Sequence, residues 1–301
     1  MNAPPTPFAR LPWELVRRII TIAADTSRQS ALQLCPTAEW VDRLTRPRLL
    51  RTTVMKNIQH FHTLAMYLAE TQASLGTTRA AHVRHAWMDS SVDASDMATT
   101  LRLCDKLEHI AIPAQSFPGL VVATTAFTPA IQPLPLSRGL HLTLFDTATH
   151  PAWFTGFLVF NRSKDSLLSH VTHLRLVETG AYRDCMPAHY YPVLSHVMVP
   201  YRGAAVHDLH ELDRFLALES LKVLAIEIVP GALSAGDKEA FESWVRLVRA
   251  TDQRVQVVER ASDDIQRDWE CEMRGGEDIW DRAACHPLSL EAPKRNSALG
   301  G

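Results

Sequence analysis

Short strand-like runs recur in the sequence after residue 75, and this recurrence limits the possible folds more than any other feature. The runs begin 23 to 33 residues apart, and segments compatible with helices (98–103, 209–216 and 238–248) lie between them. Four runs share a phrase in which small alternating apolar residues follow a first apolar residue: LEHIAI, VTHLRL, LSHVMV and LKVLAI. The runs span residues 82–88, 107–112, 140–145, 171–177, 194–199, 221–228 and 254–258.

Strands that alternate with helices at this period indicate either a parallel sheet with helical crossovers or a stack of repeats. The shared phrase favours the repeats, and several must stack because one unit cannot bury its own apolar face. We therefore predict an α/β fold in which residues 76–285 form an irregular leucine-rich-repeat-like solenoid. Its short strands should be parallel and adjacent in chain order, with helices on the opposite side. The asparagine ladder of regular leucine-rich repeats is missing, so an ordinary α/β domain remains the alternative.

The sequence before this region has a helical pattern instead. Leu11, Leu15, Ile19 and Ile22 recur at helical spacing, and Pro12 suits the first position of a helix, where its missing N–H is not needed. These residues predict an amphipathic first helix.

A third helix of this N-terminal module is expected after a short second one. Thr37 is a candidate N-cap, Trp40 should be buried against the first helix, and Pro47 should end the third helix. The predicted segments are a disordered N-terminus (1–9), the helical module (10–54), a linking helix (55–75), the repeat region (76–285) and a disordered tail (286–301).

Another helical stripe precedes the tail. Ile265, Trp269 and Met273 have helical spacing, two glycines then break the pattern, and a further short helix with Ile279 and Trp280 follows.

Composition and charge exclude several classes of protein. Apolar residues make up 46% of the chain and charged residues 21%, which is incompatible with wholesale disorder. Five dispersed cysteines, none in a CxxC pair, indicate neither a disulfide framework nor a zinc module. No apolar stretch approaches the roughly 18 residues of a membrane span, so we expect an intracellular protein, cytoplasmic or nuclear. Residues 1–57 carry a net charge of +5, but without a nucleic-acid motif a solvated helical face is favoured over a nucleic-acid surface.

Residues 11–54 resemble an F-box. The likeness rests on Leu11-Pro12, Glu14-Leu15, the Ile19-Ile20 pair, Leu32 with Leu34, Trp40, and the exit from Pro47 to Leu49-Leu50. The whole chain is similar to the large fungal class of F-box-like proteins, in which such a segment precedes irregular repeats and an acidic, tryptophan-containing end. The segments WMDS, LKVLAIEI and GEDIW carry this wider likeness. Cys35-Pro36 and the polar stretch 25–30 depart from the family pattern.

The resemblance implies a non-catalytic substrate-recognition subunit of an SCF-type cullin-RING ubiquitin ligase. The helical module would bind the small adaptor subunit of that ligase, and the repeats would hold an unknown protein target on a curved face. The alternative is a repeat-based interaction scaffold with no ligase role, in which the module only caps the solenoid. The residues assigned to adaptor binding are Leu11, Pro12, Glu14, Leu15, Ile19, Leu32 and Trp40.

The sequence contains no familiar catalytic motif, and neither an enzyme activity nor a cofactor is predicted. His207, His210 and Glu211 could share one helical face as zinc ligands, although a solvated outer face is the simpler interpretation. Cys185 and His189 are four residues apart with a proline between them, so a chance pair is favoured over a nucleophile and its base.

Overall fold

A computed structural model describes residues 11–72, 77–125, 139–145, 167–177, 191–204, 208–229 and 231–290. Its helices are α1 (Trp13–Thr26), α2 (Arg28–Leu34), α3 (Glu39–Arg51), α4 (Ile58–Ala69), α5 (Ala94–Leu103), α6 (Phe117–Thr125), α7 (Asp213–Leu216), α8 (Ala235–Arg249), α9 (Ile265–Met273), α10 (Ile279–Cys285) and α11 (Pro287–Leu290). The strands of the main sheet are β1 (Thr52–Met55), β2 (His85–Met88), β3 (His109–Pro113), β4 (Leu140–Phe145), β5 (Val171–Leu176), β6 (His196–Tyr201), β7 (Val223–Ile228) and β8 (Val255–Glu259).

The eight strands form one parallel sheet in which every strand pairs with its neighbour in the chain. All seven predicted runs are strands of this sheet, so the predicted α/β class, the parallel pairing and the sequential order are confirmed. This order follows from the short connections, since consecutive strands joined by short crossovers settle side by side.

The sheet begins earlier than the sequence predicts. Residues 52–55, which the sequence analysis assigns to the end of the helical module and the first residue of the linking helix, form strand β1. This strand pairs in register with β2 from Thr52 opposite His85 to Met55 opposite Met88. The segment TTVM is too short to stand out as an apolar run, and its strand conformation depends on this pairing. The helical module and the sheet therefore meet without a linker, because α3 ends at Arg51 and β1 starts at the next residue.

One face of the sheet carries the main hydrophobic core. Alternate strand residues such as Ile110, Leu142, Leu174 and Ile226 are fully buried there, as the period-two geometry of a strand requires. Side chains of α3 to α6, α7 and α8 pack onto the same face.

The opposite face is also covered, although only in part. Trp269 of α9 packs with Trp87, Phe145 and Val177 on one patch of this face. Ile279 and Ala283 of α10 pack with Met198, Ala225 and Val258 on another. The sequence predicts helices on one side of the sheet only. This prediction is wrong, because α9 and α10 fold back across the other side.

The three N-terminal helices pack on each other through small or polar side chains. Ala24 of α1, Ala31 of α2, and Val41 and Thr45 of α3 are buried between them, and Leu50 of α3 reaches the main core. The helix α1 begins directly after Pro12, close to the predicted position.

Two local expectations for α3 are wrong. The helix passes through Pro47 and continues to Arg51. A proline inside a helix costs about 3 kcal/mol, and buried anchors on either side, Thr45 and Leu50, outweigh that local cost. Thr37 does not cap the helix: its hydroxyl donates to the Leu34 carbonyl, and Ala38 is the N-cap residue.

The C-terminal region departs from the predicted tail. Pro287–Leu290 is a short helix, and Leu288 packs against the main core, so the order extends past residue 286. The remainder of that predicted tail, 291–301, and the predicted disordered N-terminus lie outside the described residues.

Candidate functional site

Large apolar side chains are exposed along the N-terminal helices. Within the described part of the chain, eleven large hydrophobic side chains are exposed, and seven of them fall between residues 11 and 40. We call the six of them on α1, on the residues that lead into it and on α2 the N-terminal face: Leu11, Trp13, Leu15, Ile19, Ile22 and Leu32.

The N-terminal face is unpacked because the three helices approach each other through other residues. Ala24 and Ala31 are almost fully buried, whereas Leu15 and Ile19 are 46% and 47% exposed. An amphipathic helix normally turns its apolar stripe toward the core, and α1 leaves part of that stripe in solvent. This part of the surface therefore lacks a covering element in the described chain.

Trp40 does not occupy the predicted position. Its indole is 38% exposed, and it meets the indole of Trp13 edge to face, with ring centroids 4.5 Å apart. The prediction that Trp40 is largely buried against the first helix is wrong, because Trp13, which is itself 53% exposed, takes the contact at the surface. Trp40 thus extends the exposed aromatic surface at one end of the N-terminal face.

The other residues assigned to adaptor binding are at the same surface. Leu11, Leu15, Ile19 and Leu32 are exposed, as the resemblance requires of a docking surface. Pro12 and Glu14 are exposed beside them. Ile22 continues the stripe of Leu15 and Ile19, as its helical spacing predicts. Trp13 is also exposed, but it lies two residues before Leu15 and therefore on another side of α1.

A second candidate site is a stack of imidazoles on the partly covered face of the sheet. His85, His109, His141, His173 and His196 occupy matching register positions on β2 to β6. Ring centroids of successive histidines lie 5.0, 4.0, 3.7 and 4.0 Å apart, and the last three rings are stacked nearly parallel. We call this row the histidine ladder.

Both ends of the histidine ladder are tied to neighbouring residues. At one end, Nδ1 of His85 lies 3.0 Å from the hydroxyl of Thr52 on β1. At the other end, the indole of Trp280 on α10 lies edge-on to the rings of His173 and His196, at 5.4 Å from each. The ladder is therefore held at both ends, with His85 buried and the other four rings half-buried.

The histidine ladder is held in its neutral form. Burial, together with nearby arginines, lowers the pKa of His85 to about 3. Burial and the neighbouring imidazoles lower the pKa of His109 and of His141 to about 3. The same causes act on His173, with a pKa of about 2, and burial also lowers the pKa of His196. Stacked neutral rings suit packing and hydrogen bonding; they do not suit proton transfer near neutral pH.

The ladder also lacks the geometry of a metal site. The last three imidazoles stack face to face and the first two pairs are edge-on or tilted, whereas metal ligands direct their nitrogens at one point. Among the described residues, no group of three or more His, Cys, Asp or Glu side chains could hold a metal ion.

A buried ion network lies beside the ladder. The carboxylate of Glu227, which is fully buried on β7, accepts from Arg175 at 2.8 Å and from Arg260 at 2.6 Å. Arg175 also lies 3.3 Å from Glu272 of α9, and Arg282 of α10 lies 3.1 Å from the same carboxylate. Burial alone would raise the pKa of Glu227, but the two arginines hold it below the usual range. This network ties α9 and α10 to the sheet.

His210 and Glu211, which the sequence analysis raised as candidate metal ligands, belong to no metal site among the described residues. His210 and Glu211 lie on the helical turn Leu209–Leu212, where the His210 side chain is 82% exposed. His207, Cys185 and His189 lie outside the described residues. The four described cysteines, at positions 35, 104, 271 and 285, are free. No helix in the described ranges is long and apolar enough to cross a membrane.

The sequence did contain a signal for the histidine ladder. In the phrases LEHIAI, VTHLRL and LSHVMV a histidine occupies the third position, and a histidine likewise follows the first apolar residue in LHLTLF of β4. Alignment of the phrases by position, rather than by their apolar residues alone, would have placed these rings in one row.

Comparisons with known proteins do not assign this chain to a family. Neither a scan against protein-family models nor a search of curated proteins finds a match for this chain.

Proposed function

We propose that the chain is a substrate-recognition subunit of a cullin-RING ubiquitin ligase of the SCF type, and that it binds the adaptor subunit through the N-terminal face. The observation that carries this proposal is the concentration of exposed large apolar side chains on α1 and α2. These positions include four of the apolar residues that the F-box resemblance assigns to the adaptor. The proposed role is non-catalytic.

The chemistry of the N-terminal face suits docking against another protein. Exposed leucine, isoleucine and tryptophan side chains gain about 25 cal/mol for each Å² of apolar surface that a partner removes from water. Trp13 and Trp40 are the residues most suited to act as anchors, because aromatic side chains are enriched among those that dominate binding energy. Arg17 and Arg18 are exposed on the same helix, so an acidic rim on the partner would be favoured.

The covered sheet face limits where a target protein can bind. Solenoids commonly bind partners on their curved strand face. Here α9 and α10 pack on that face through Trp269 and Ile279. The proposal therefore places target contacts outside the strand positions that lie beneath α9 and α10.

Co-purification with the adaptor tests the proposal. We expect the double substitution Leu11→Asp with Leu15→Asp to abolish co-purification while the thermal midpoint stays nearly unchanged, since both side chains are already in solvent. Leu247→Asp is the matched control, because Leu247 is 72% exposed on α8, and this variant should still bind. Failure of the parent chain to bind the adaptor would overturn the proposal.

One observation favours the alternative function, an interaction scaffold with a capping module. The helix α3 runs directly into β1, and Leu50 belongs to the main core, so the N-terminal helices do cover the first end of the repeat region. A cap explains Leu50 and Thr45, but it leaves Leu15 and Ile22 without a role. A collapse of stability in the Leu11→Asp with Leu15→Asp variant, together with no adaptor binding in the parent, would decide for the cap.

A further inference from the structure

Three helix ends line an open cavity beside the first strand. Its volume is about 260 Å³, and it lies where α1, α3 and α9 end, next to the start of β1. The polar side chains that line it are Asp25, Arg48, Arg51, Thr52 and Arg274. We call it the arginine cavity.

Arg274 leaves hydrogen-bonding capacity unused in this cavity. Its Nε and Nη2 atoms are buried and have no hydrogen-bond partner. The residue forms no ion pair with any described acid, and burial together with the nearby Arg28 lowers the pKa of its guanidinium. A buried charged donor without a partner is costly, so this group is suited to a ligand that can accept its hydrogen bonds.

The position of Arg274 is fixed by the backbone. It follows α9, and Gly275 after it adopts a positive φ of 91°, a conformation that favours glycine. The chain reverses there, with the Gly276 N–H donating to the Cys271 carbonyl at 2.9 Å. A side chain at position 276 would meet that carbonyl, because a Cβ there would come within 2.7 Å of it.

The charge around the cavity is positive. Arg48 pairs with Asp25 at 2.9 Å. Neither Arg51 nor Arg274 forms an ion pair with a described acid, although the charge of Glu270 acts on Arg274. The positive charges of Arg51 and Arg274 both act on the nearby His85 and lower its pKa. Partial negative charge at the three helix ends accounts for basic residues gathering there. It does not provide acceptors for the two buried nitrogens of Arg274.

We propose that the arginine cavity binds a phosphate-type oxyanion, held by Arg274 and Arg51. A guanidinium presents a planar fork of donors that matches two oxygens of such an anion. The volume is below the roughly 300–1,000 Å³ of pockets that enclose drug-sized ligands, which favours a single phosphoryl group. The bound anion would join the N-terminal module to α9, independently of adaptor binding.

Calorimetric titration of the full chain with inorganic phosphate tests this site, with sodium chloride at matched ionic strength as the reference. We expect saturable phosphate binding and a thermal midpoint that rises with phosphate but not with chloride. Arg274→Gln should weaken phosphate binding at least about tenfold, because hydrogen bonds to charged groups are among the strongest. Arg51→Gln, at an exposed position, should also weaken it without affecting folding.

Arg43→Gln is the matched control, since Arg43 lies on α3 as Arg51 does but pairs with Glu39 in solvent. This variant should bind phosphate as the parent does. Titration with glycerol 3-phosphate separates the two sources of the group: tighter binding of the ester assigns a small phosphorylated metabolite, and tighter binding of inorganic phosphate assigns the free ion. Equal midpoints in phosphate and chloride, or unchanged affinity in Arg274→Gln, would overturn the proposal.

Discussion

The first and last helical regions of the chain have the same kind of sequence pattern, an apolar stripe, but only the last one packs against the sheet. In α1, Leu15, Ile19 and Ile22 form an apolar stripe that remains in solvent. In α9, Ile265, Trp269 and Met273 form a stripe that packs onto the sheet, and Trp269 is only 1% exposed. Helical spacing therefore predicts a stripe but does not tell what covers it.

The difference between the two regions lies in the surface available to each. The sheet has a second face with aromatic and small side chains, Trp87, Phe145 and Ala111, that needs a cover, and α9 follows β8 closely enough in the chain to supply one. The helix α1 packs instead on α2 and α3, where Ala24, Ala31, Val41 and Thr45 are the buried side chains. Its stripe therefore remains exposed in the described part of the chain.

The largest expected effect that separates the two regions is the loss of the α9 anchor. Trp269→Ala should lower the free energy of unfolding by about 3–5 kcal/mol, because it removes a large buried side chain. The ring centroids of Trp269 and Trp87 lie 5.6 Å apart, in an edge-to-face arrangement. Urea denaturation measures this loss. A change below about 1 kcal/mol would mean that α9 is not held on the sheet.

The buried ion network should give the next effect. Glu227→Gln leaves the buried Arg260 without a counter-charge among the described residues and leaves Arg175 with Glu272 alone, so we expect a loss of about 3 kcal/mol in the free energy of unfolding. The exposed pair is the control, since removal of Glu39 beside Arg43 should cost at most about 1 kcal/mol. Equal losses in the two variants would show that the network is not buried in solution.

Acid should lower the free energy of unfolding, because it protonates histidines on the sheet face that α9 and α10 partly cover. The folded pKa of His85 is about 3 and its unfolded pKa is near 6.5, so between these values the unfolded chain binds a proton that the folded chain does not. The free energy of unfolding should therefore fall as pH drops below about 6.5, by about 1.4 kcal/mol per pH unit for the almost fully buried His85.

Denaturation at pH 7, 6 and 5 measures this slope. Each lowered pKa elsewhere in the histidine ladder acts in the same direction. His85→Asn should flatten the acid limb, whereas substitution of the exposed His210 by Asn should leave it unchanged. A stability that does not vary between pH 7 and pH 5 would contradict a neutral, buried ladder.

The smallest effect is expected on the N-terminal face. Trp40→Ala should lower the free energy of unfolding by about 0.5–1.5 kcal/mol, the typical value of an aromatic pair, since Trp40 contacts Trp13 at the surface. If the loss instead matched that of Trp269→Ala, Trp40 would be a core residue and the contrast between the two regions would disappear.

The sequence predicts much of the fold because each strand after β1 has its own pattern of alternating apolar residues. Each of the seven runs carries enough alternating apolar residues to be recognised alone, and their short connections determine the order of the sheet. Strand β1 was missed because Thr52 and Thr53 have no such pattern and become a strand only opposite β2.

The candidate sites were predicted less completely. Leu11 and Leu15 were expected to be exposed, and the structure places them in solvent, but the contact of Trp40 with Trp13 depends on the angle between two helices. The arginine cavity joins residues 25, 51 and 274, which are brought together only when the chain has folded back. No local pattern encodes such a site.

The return of α9 and α10 across the sheet has a consequence for biosynthesis. Strands that pair with their chain neighbours can assemble one after another as the polypeptide leaves the ribosome. The hydrogen bond from Arg175 to Glu272 joins residues 97 positions apart in the sequence. The contact between Trp87 and Trp269 joins residues that are even further apart. A nascent chain that stops near residue 260 would thus have a formed sheet whose Trp87 and Phe145 side chains are exposed to solvent. Such a chain would be a target for chaperones until the last helices are synthesised.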